Sequence, residues 1–517
     1  MLWHDRRKRN FGRRLTIMDL LAHLPALQVV VPMLSAPLIV LLQPRGLAWA
    51  GATAAALVSF AIAITLTFAV LDGQTLEYAM GGWPAPYGIA LSVDAFSALV
   101  LLVITGASTA ALLAAKPSID QQIELKRQPF FYSAWLLVLS GLVGIVVSAD
   151  AFNIFVFMEI SSLASYILIA GGPNRRALPA VFKYLMMGTI GATFYLIGVG
   201  LIYMMTGTLN LADMQARIGD VTDINPILVA AGFITIGLAL KAAVFPLHIW
   251  VPNAYAHAPH MVTVFLAACA TKVALYVLIR FDYVIFQATL ADHDIQFAMF
   301  AMPLAILGIL VASAVAMFEG HLKKLLASSS VAQIGYILLG ASFVSMAGLS
   351  ASAMHMFNHA LAKGGLFLAV ACLAYQYRDL RLDQLGGAAA RMPWTCAAFV
   401  VSGLSLIGVP GTAGFISKWM LINAALQSGP WGLGLVAIIL ISSLMAVFYV
   451  WRIVEALYFQ APIEGGAEGA IPKGEAPIQM LLITGLVALL NIYFGIFPQV
   501  SLELANSAAA LLLEGAK

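Results

Sequence analysis

The sequence predicts an all-α integral membrane protein of about 14 transmembrane helices, two of them interrupted. Three observations carry this. The 517 residues are 62% hydrophobic and only 10% charged, with a mean hydropathy of +0.94. Soluble domains hold about 45–50% apolar and about 25% charged residues. Apolar runs of spanning length recur along the whole chain, and Pro and Gly interrupt two of them beside a lysine. The net charge of +3 is too small to point to a nucleic-acid partner. Cys269, Cys372 and Cys396 all fall in apolar runs. They lack the spacing of a zinc or redox site and the number for an iron–sulfur cluster, and read as small core residues.

A spanning helix takes about 20 mostly apolar residues. The runs fall near 25–43, 48–72, 92–115, 130–148, 151–171, 179–205, 226–247, 260–286, 297–317, 323–345, 350–376, 394–427, 431–459 and 477–498. The chain reads as one membrane domain, 1–517. Helices 1–3 lie within 18–129, helices 4–8 within 130–286, helices 9–13 within 297–459, and helix 14 at 477–498. The largest polar stretches are 73–91, 206–225 and 460–476. The first, GQTLEYAMGGWPAPYGIA, has the Gly and Pro turns of a short hairpin.

Lys and Arg mark cytoplasmic loops. Arg45, Lys116, Lys126, Arg127, Arg175, Arg176, Lys323, Lys324, Arg378, Arg381 and Arg391 all read as odd-loop residues. The even loops carry Asp72, Glu77, Asp94, Asp213, Asp220, Asp223, Asp292 and Asp294, with Arg217 and Arg280 in partial offset. Odd loops are therefore expected in the cytoplasm and both termini on the other side, as in an inner (plasma) membrane protein. The start, MLWHDRRKRNFGRRL, breaks the pattern with its basic cluster. Two readings stand. The natural start is Met18 and the arm an over-extended gene model, or the arm binds lipid phosphate or a partner.

Ionisable groups inside spanning helices cost about 2.5–3.5 kcal/mol each on insertion scales, which makes them functional candidates. Here they are Glu159, Lys241, Lys272, His355, His359, Lys363 and Lys418. Arg452 and Glu455 lie nearer a helix end, where they can snorkel or pair with each other. Glu159 sits mid-run in FNIFVFMEISSLASYILIA, with Ser162 and Tyr166 on the same helix face, a stripe suited to a water-lined path. A plain structural ion pair with a lysine is the competing reading. Lys241 opens KAAVFPLHIWVPNAYAHAPH, where Pro246 and Pro252 break the helix. The freed carbonyls need water or polar side chains, so the break hydrates mid-membrane. A lysine deprived of solvent there can exchange a proton.

LIGVPGTAGFISKWMLI repeats the device with Lys418. Interrupted helices at corresponding places indicate an internal repeat, helices 4–8 and 9–13. In HMFNHALAKGGLF, His355, His359 and Lys363 follow at i, i+4 and i+8 on one stripe, as a proton relay would need. Two histidines are short of a zinc ligand set. Structural hydrogen bonding is the alternative. Ser328, Ser329, Ser330 and Gln333 supply further polar links, or simply join helices.

The runs FPLHIWVPNAYAHAP, LKKLLASSSVAQIGYILLG, HMFNHALAKGGLFLA and GVPGTAGFISKW resemble the antiporter-like subunit family. That family includes the proton-pumping membrane subunits of respiratory complex I and the A and D subunits of Mrp-type cation/proton antiporters. The resemblance covers nearly all of 130–460 and is strongest to Mrp D subunits. It implies two inverted five-helix repeats and a hydrated polar axis. It also implies pairing of Glu159 with Lys241, Lys272 as central relay, Lys418 as terminal site, and His355, His359 and Lys363 between them. Other membrane subunits are implied as partners, with protons and Na⁺ or K⁺ as the ions. The chain departs from the family at His257, where an acidic residue is usual, near Asn253, and at His260. The cytoplasmic mouth is thus expected to differ in charge and pH response.

Function is therefore expected to be proton translocation within a multisubunit monovalent cation/proton antiporter. The alternative is a pumping subunit of a redox-driven complex, a relative of complex I or a membrane hydrogenase. Lys418 in place of glutamate argues against one complex I subunit type. An assembly with a soluble enzyme of inorganic-carbon uptake is a third setting for the same machinery. No cofactor or metal is expected, since no dinucleotide fingerprint, cysteine cluster or haem pair is present.

Overall fold

The computed structural model describes residues 17–41, 46–287, 297–461 and 474–515. The basic arm, Arg45, Asp292 and Asp294 lie outside the described residues. Among the described residues, 13 helices are long and apolar enough to cross a membrane. In chain order, the helices are α1 (Ile17–Leu41), α2 (Leu47–Leu71), α3 (Ala95–Gln122), α4 (Gln128–Val147), α5 (Ala151–Ala170), α6 (Ala177–Thr206), the short α7 (Leu211–Ile218), α8 (Asn225–Ala242) and α9 (Trp250–His257). Then come α10 (His260–Arg280), α11 (Phe297–Phe318), α12 (Leu322–Ala341), α13 (Met346–Gln376), α14 (Pro393–Ile407), α15 (Ala413–Gln427), α16 (Gly432–Tyr458), α17 (Ile478–Ile496) and α18 (Gln499–Gly515). The remaining apolar run, 394–427, holds the shorter helices α14 and α15, 15 residues each. The other thirteen runs map one to one onto the long helices.

Caps explain several helix starts. Asp94 accepts the Ser97 amide at 2.9 Å, Asp150 that of Asn153 at 2.7 Å, and Ser345 that of Gly348 at 3.1 Å. The expected hairpin is present: β1 (Leu76–Ala79) pairs antiparallel with β2 (Ala90–Val93), Leu76 opposite Val93.

Burial sorts the helices into centre and rim. The apolar windows of α10 and α12 are 94% buried, against 28% for α17 and 33% for α11 and α16. The rim helices present apolar side chains outward, and the centre carries the polar groups. Close helix approach positions α8. A Cβ on Gly237 would lie 2.5 Å from the Gly191 carbonyl oxygen of α6, so only glycine lets these backbones meet.

Both interruptions are real. After α8, Ala243 turns left-handed (φ +58°), and the Trp250 indole donates to the Leu240 carbonyl at 3.1 Å. The indole thus adds a second donor to a carbonyl that already accepts the Ala243 amide at 3.3 Å. After α14, Gly408 takes φ +91°, and the Gly414 amide donates to the Ser405 hydroxyl at 3.1 Å. The broken helices stand fourth in each run of five crossings, helix 7 of 4–8 and helix 12 of 9–13.

Some expectations need correction. Lys323 is not a loop charge: it is buried, because α9 ends over the first turn of α12. Arg280 and Asp94 are not loop charges either. They form a buried ion pair at 2.7 Å, with Asp94 also accepting the Ser97 hydroxyl. Arg452 does not pair with Glu455. Its guanidinium donates to the Met317 carbonyl at the end of α11. Finally, α18 follows the last predicted helix and packs through Leu504, Ala505, Ala508, Ala509 and Leu512.

Candidate functional site

The candidate site is a series of buried ionisable groups carried on helices from α5 to α15. At one end, Glu159 of α5 faces Lys241 of α8, with Oε1 to Nζ at 3.6 Å. The ammonium donates to the Ser162 hydroxyl at 2.7 Å, and that hydroxyl donates on to the Met158 carbonyl at 2.7 Å. The lysine side chain is 8% exposed and the glutamate 26%. The pair is therefore close but not locked: Ser162, not Glu159, holds the direct hydrogen bond, and Glu159 Oε1 has no hydrogen-bond partner among protein groups.

Beside this pair lies a cavity of about 40 Å³, lined by Ser161, Ser162, Ser165, Tyr184 and Lys241, and by Ala270 and Ala274 of α10. A water needs about 10–15 Å³ of such volume and a few polar partners. The cavity thus has room for two or three waters between Lys241 and the helix that carries Lys272. A far larger cavity of about 510 Å³ lies between α2, α3, α10, α13, α17 and α18. Its walls are apolar and it does not touch the polar line.

Lys272 is fully inside, donating to the Ala267 carbonyl at 2.6 Å. It lies within electrostatic range of His355, His359 and Lys363 on α13, which packs against α10. Lys363 donates to the Leu326 carbonyl at 2.7 Å and the Ser329 hydroxyl at 2.5 Å, both on α12. The His359 and His355 rings stack with centroids 6.2 Å apart. Neither nitrogen of His359 has a protein partner. His355 joins Gln333 Oε1 through Nε2 at 3.0 Å and the Ser417 hydroxyl through Nδ1 at 2.9 Å.

Ser417 delivers the line to Lys418 on the next residue. The Lys418 ammonium sits on the second break. It donates to the Leu406 and Ile407 carbonyls at 3.1 and 2.8 Å and to the Ser443 hydroxyl at 3.1 Å. Those carbonyls are the ones α14 frees by ending there. The Tyr336 ring lies 5.1 Å from the same nitrogen, a cation–π contact. A Cβ on Gly408 would come within 2.8 Å of Lys418 Cδ, so glycine is needed there for both conformation and space.

Six of the seven groups singled out from the sequence belong to this series, and Lys363 stands at its flank. Glu159 and Lys241 pair, His355 and His359 stack, and hydroxyl, amide and carbonyl groups hold the rest. Sequence reasoning missed Ser417, Ser443 and Tyr336. Ser417 stands next to Lys418, a signal that was available. Ser443 and Tyr336 carried none, since their roles come from helix packing. Among the described residues, no three His, Cys, Asp or Glu side chains converge to hold a metal ion.

Fold and site together define a multi-pass integral membrane protein with an intramembrane chain of ionisable groups threaded through two broken helices. The chain belongs to the family described as NADH:quinone oxidoreductase/Mrp antiporter, TM, whose profile matches residues 148–446. It is 38% identical to the N subunit of the NADH-quinone oxidoreductase of Desulforudis audaxviator over 492 residues, 92% of this chain and 96% of that protein. It is 28% identical to the D subunit of the Na(+)/H(+) antiporter of Bacillus subtilis over 495 residues, 95% and 97% of the two chains. Its fold is similar to a chain of the Mrp complex from a Dietzia species, with TM-score 0.86 and 27% identity over 96% of this chain and 98% of the other.

Proposed function

We propose that this chain is the proton-translocating subunit of a multisubunit monovalent cation/proton antiporter, placed in the plasma membrane beside other membrane subunits. The observation that carries this is the series Glu159–Lys241–Lys272–His359–His355–Lys418, with Lys363 at its flank. Such a series has no structural necessity in a lipid-embedded bundle, where apolar packing is cheaper. The repeats 130–286 and 297–459 would each contribute one broken helix and one terminal lysine. Loop charge puts the odd loops in the cytoplasm and both termini outside. The relatives named as an Mrp complex and a Na(+)/H(+) antiporter support the assembly and the ions.

A second reading has its own support. The 38% relative is named as a subunit of a quinone oxidoreductase, so the same line would serve redox-driven pumping in a complex of that type. One experiment separates the two. The intact complex is purified through this chain, its subunits identified by mass, and its inverted vesicles challenged with Na⁺ or K⁺ salts. Cation-dependent proton movement with only membrane subunits present supports the antiporter. Redox subunits and substrate-driven acidification support the second reading. Proton movement from neither source would refute both.

A further inference from the structure

The largest group of titratable side chains outside the line sits at the odd-loop end, where α9 ends and α10 and α12 begin. Lys323, in the first turn of α12, is 2% exposed. Its ammonium donates to the Ala258 carbonyl at 2.9 Å and the Thr263 hydroxyl at 3.2 Å, and meets no carboxylate among the described residues. Three histidines surround it within electrostatic range: His257 closing α9, His260 opening α10, and His321 preceding α12. His257 is half-buried and joins Asn174 through Nδ1 at 3.3 Å. His260 Nδ1 and His321 Nδ1 are buried without partners. Arg176 and Lys324 add positive charge on the same side, and Glu319 and Asp379 act on His321.

We propose, building on the translocation reading above, that this cluster is where protons are loaded from the cytoplasm, with Lys323 as the group that hands them to the line. A buried lysine held by one carbonyl and one hydroxyl is poorly compensated as a fixed charge. Two of the three imidazoles have a free nitrogen, so they can take up a proton without breaking a bond. Burial, and then Lys323, hold His321 below the usual histidine range. Its ring is therefore neutral near neutral pH, and a proton it takes up is readily passed on. Inward along α12, the next turn offers the Leu326 carbonyl, and Lys363 is bonded to it. A proton arriving on an imidazole would pass to neutral Lys323, making it an ammonium. Lys323 would then release it toward Lys363 and return to neutral. No other reactant is consumed. The three histidines form no metal site, since no such cluster converges among the described residues.

The test uses the full complex in inverted vesicles, where the cytoplasmic face meets the medium, with cation-driven proton movement followed across about pH 5 to 8, the histidine range. Lys323→Arg keeps a donor for Ala258 and Thr263 but cannot release a proton. It is expected to assemble and to lose about 100-fold in rate, the scale of a lost acid–base group. Lys323→His restores a titratable group and should recover part of the rate. Replacing His257, His260 and His321 together by Gln should flatten the pH profile. If Lys323→Arg fails to assemble, Lys323→Gln carries the same test. Wild-type rate and profile in assembled Lys323→Arg, with Glu159→Ala silent in the same preparation, would overturn the loading role and leave the proposed function standing. Wild-type rate in both would remove the proposed function itself.

Discussion

Removing Glu159 is the sharpest perturbation of the first half. The carboxylate oxygen lies 3.6 Å from the Lys241 ammonium. At an effective dielectric near 20, a pair at this distance interacts by about 4–5 kcal/mol, and partial exposure of the glutamate reduces this. Even about 3 kcal/mol biases the Lys241 proton by roughly 100-fold, at about 1.4 kcal/mol per tenfold. On the proposed reading, breaking that contact is what moves the proton on. Glu159→Ala should therefore assemble normally, because Lys241 keeps its bond to Ser162. Cation-driven proton movement in inverted vesicles, read with a pH-sensitive dye, should fall by about 100-fold. Lys241→Ala should do the same. Glu159→Asp should retain part of the rate, since charge remains and only reach is lost. The double Ala variant should be no worse than either single, the signature of one shared interaction. Normal transport by an assembled Glu159→Ala complex would show the pair to be structural and would refute this reasoning.

Other outcomes follow from the geometry. Ala274→Leu should fill the small cavity between Lys241 and α10, slowing proton movement while overpacking costs about 1–3 kcal/mol of stability; a thermal-shift comparison alongside the vesicle assay checks both. Gly408→Ala should lose transport through displacement of Lys418, with a backbone cost of about 1–2 kcal/mol at its left-handed φ; equal rates would show that Lys418 tolerates the shift. Asp94→Ala leaves Arg280 buried and unpaired, and should cost about 3–5 kcal/mol, seen as loss of intact complex on native gels. His257→Glu should move the pH optimum of transport without abolishing it; an unchanged profile counts against its role in loading.

The spanning helices were legible because membrane burial is written locally, as about 20 apolar residues in a row. The two breaks were legible for the same reason: Pro246 and Pro252 in one run, Pro410 and its flanking glycines in the other, are local instructions. The line itself was legible one residue at a time, since a lysine inside an apolar run stands out wherever it falls. What sequence could not supply was contact between distant segments. Asp94 and Arg280 read as loop charges because 186 positions separate two groups that meet. Lys323 read as a cytoplasmic loop charge because a pair of lysines ahead of an apolar run looks like a loop. Only the end of α9 lying over it makes it buried. The closing helix α18 was overlooked for a different reason. Its stripe of Leu504, Ala508 and Leu512 is flanked by Glu503, Asn506 and Glu514, so its hydropathy falls short of a spanning run.

The proposed path makes Lys272 the join between the two halves, with Glu159 and Lys241 before it and the histidines and Lys418 after it. The complex is reconstituted into liposomes with a pH dye inside, and a Na⁺ or K⁺ gradient is imposed. The wild-type complex should change the internal pH, and an assembled Lys272→Met complex, with an apolar side chain of similar length, should leave it unchanged. Internal pH that follows the cation gradient at the wild-type rate in Lys272→Met would contradict a proton path along this line.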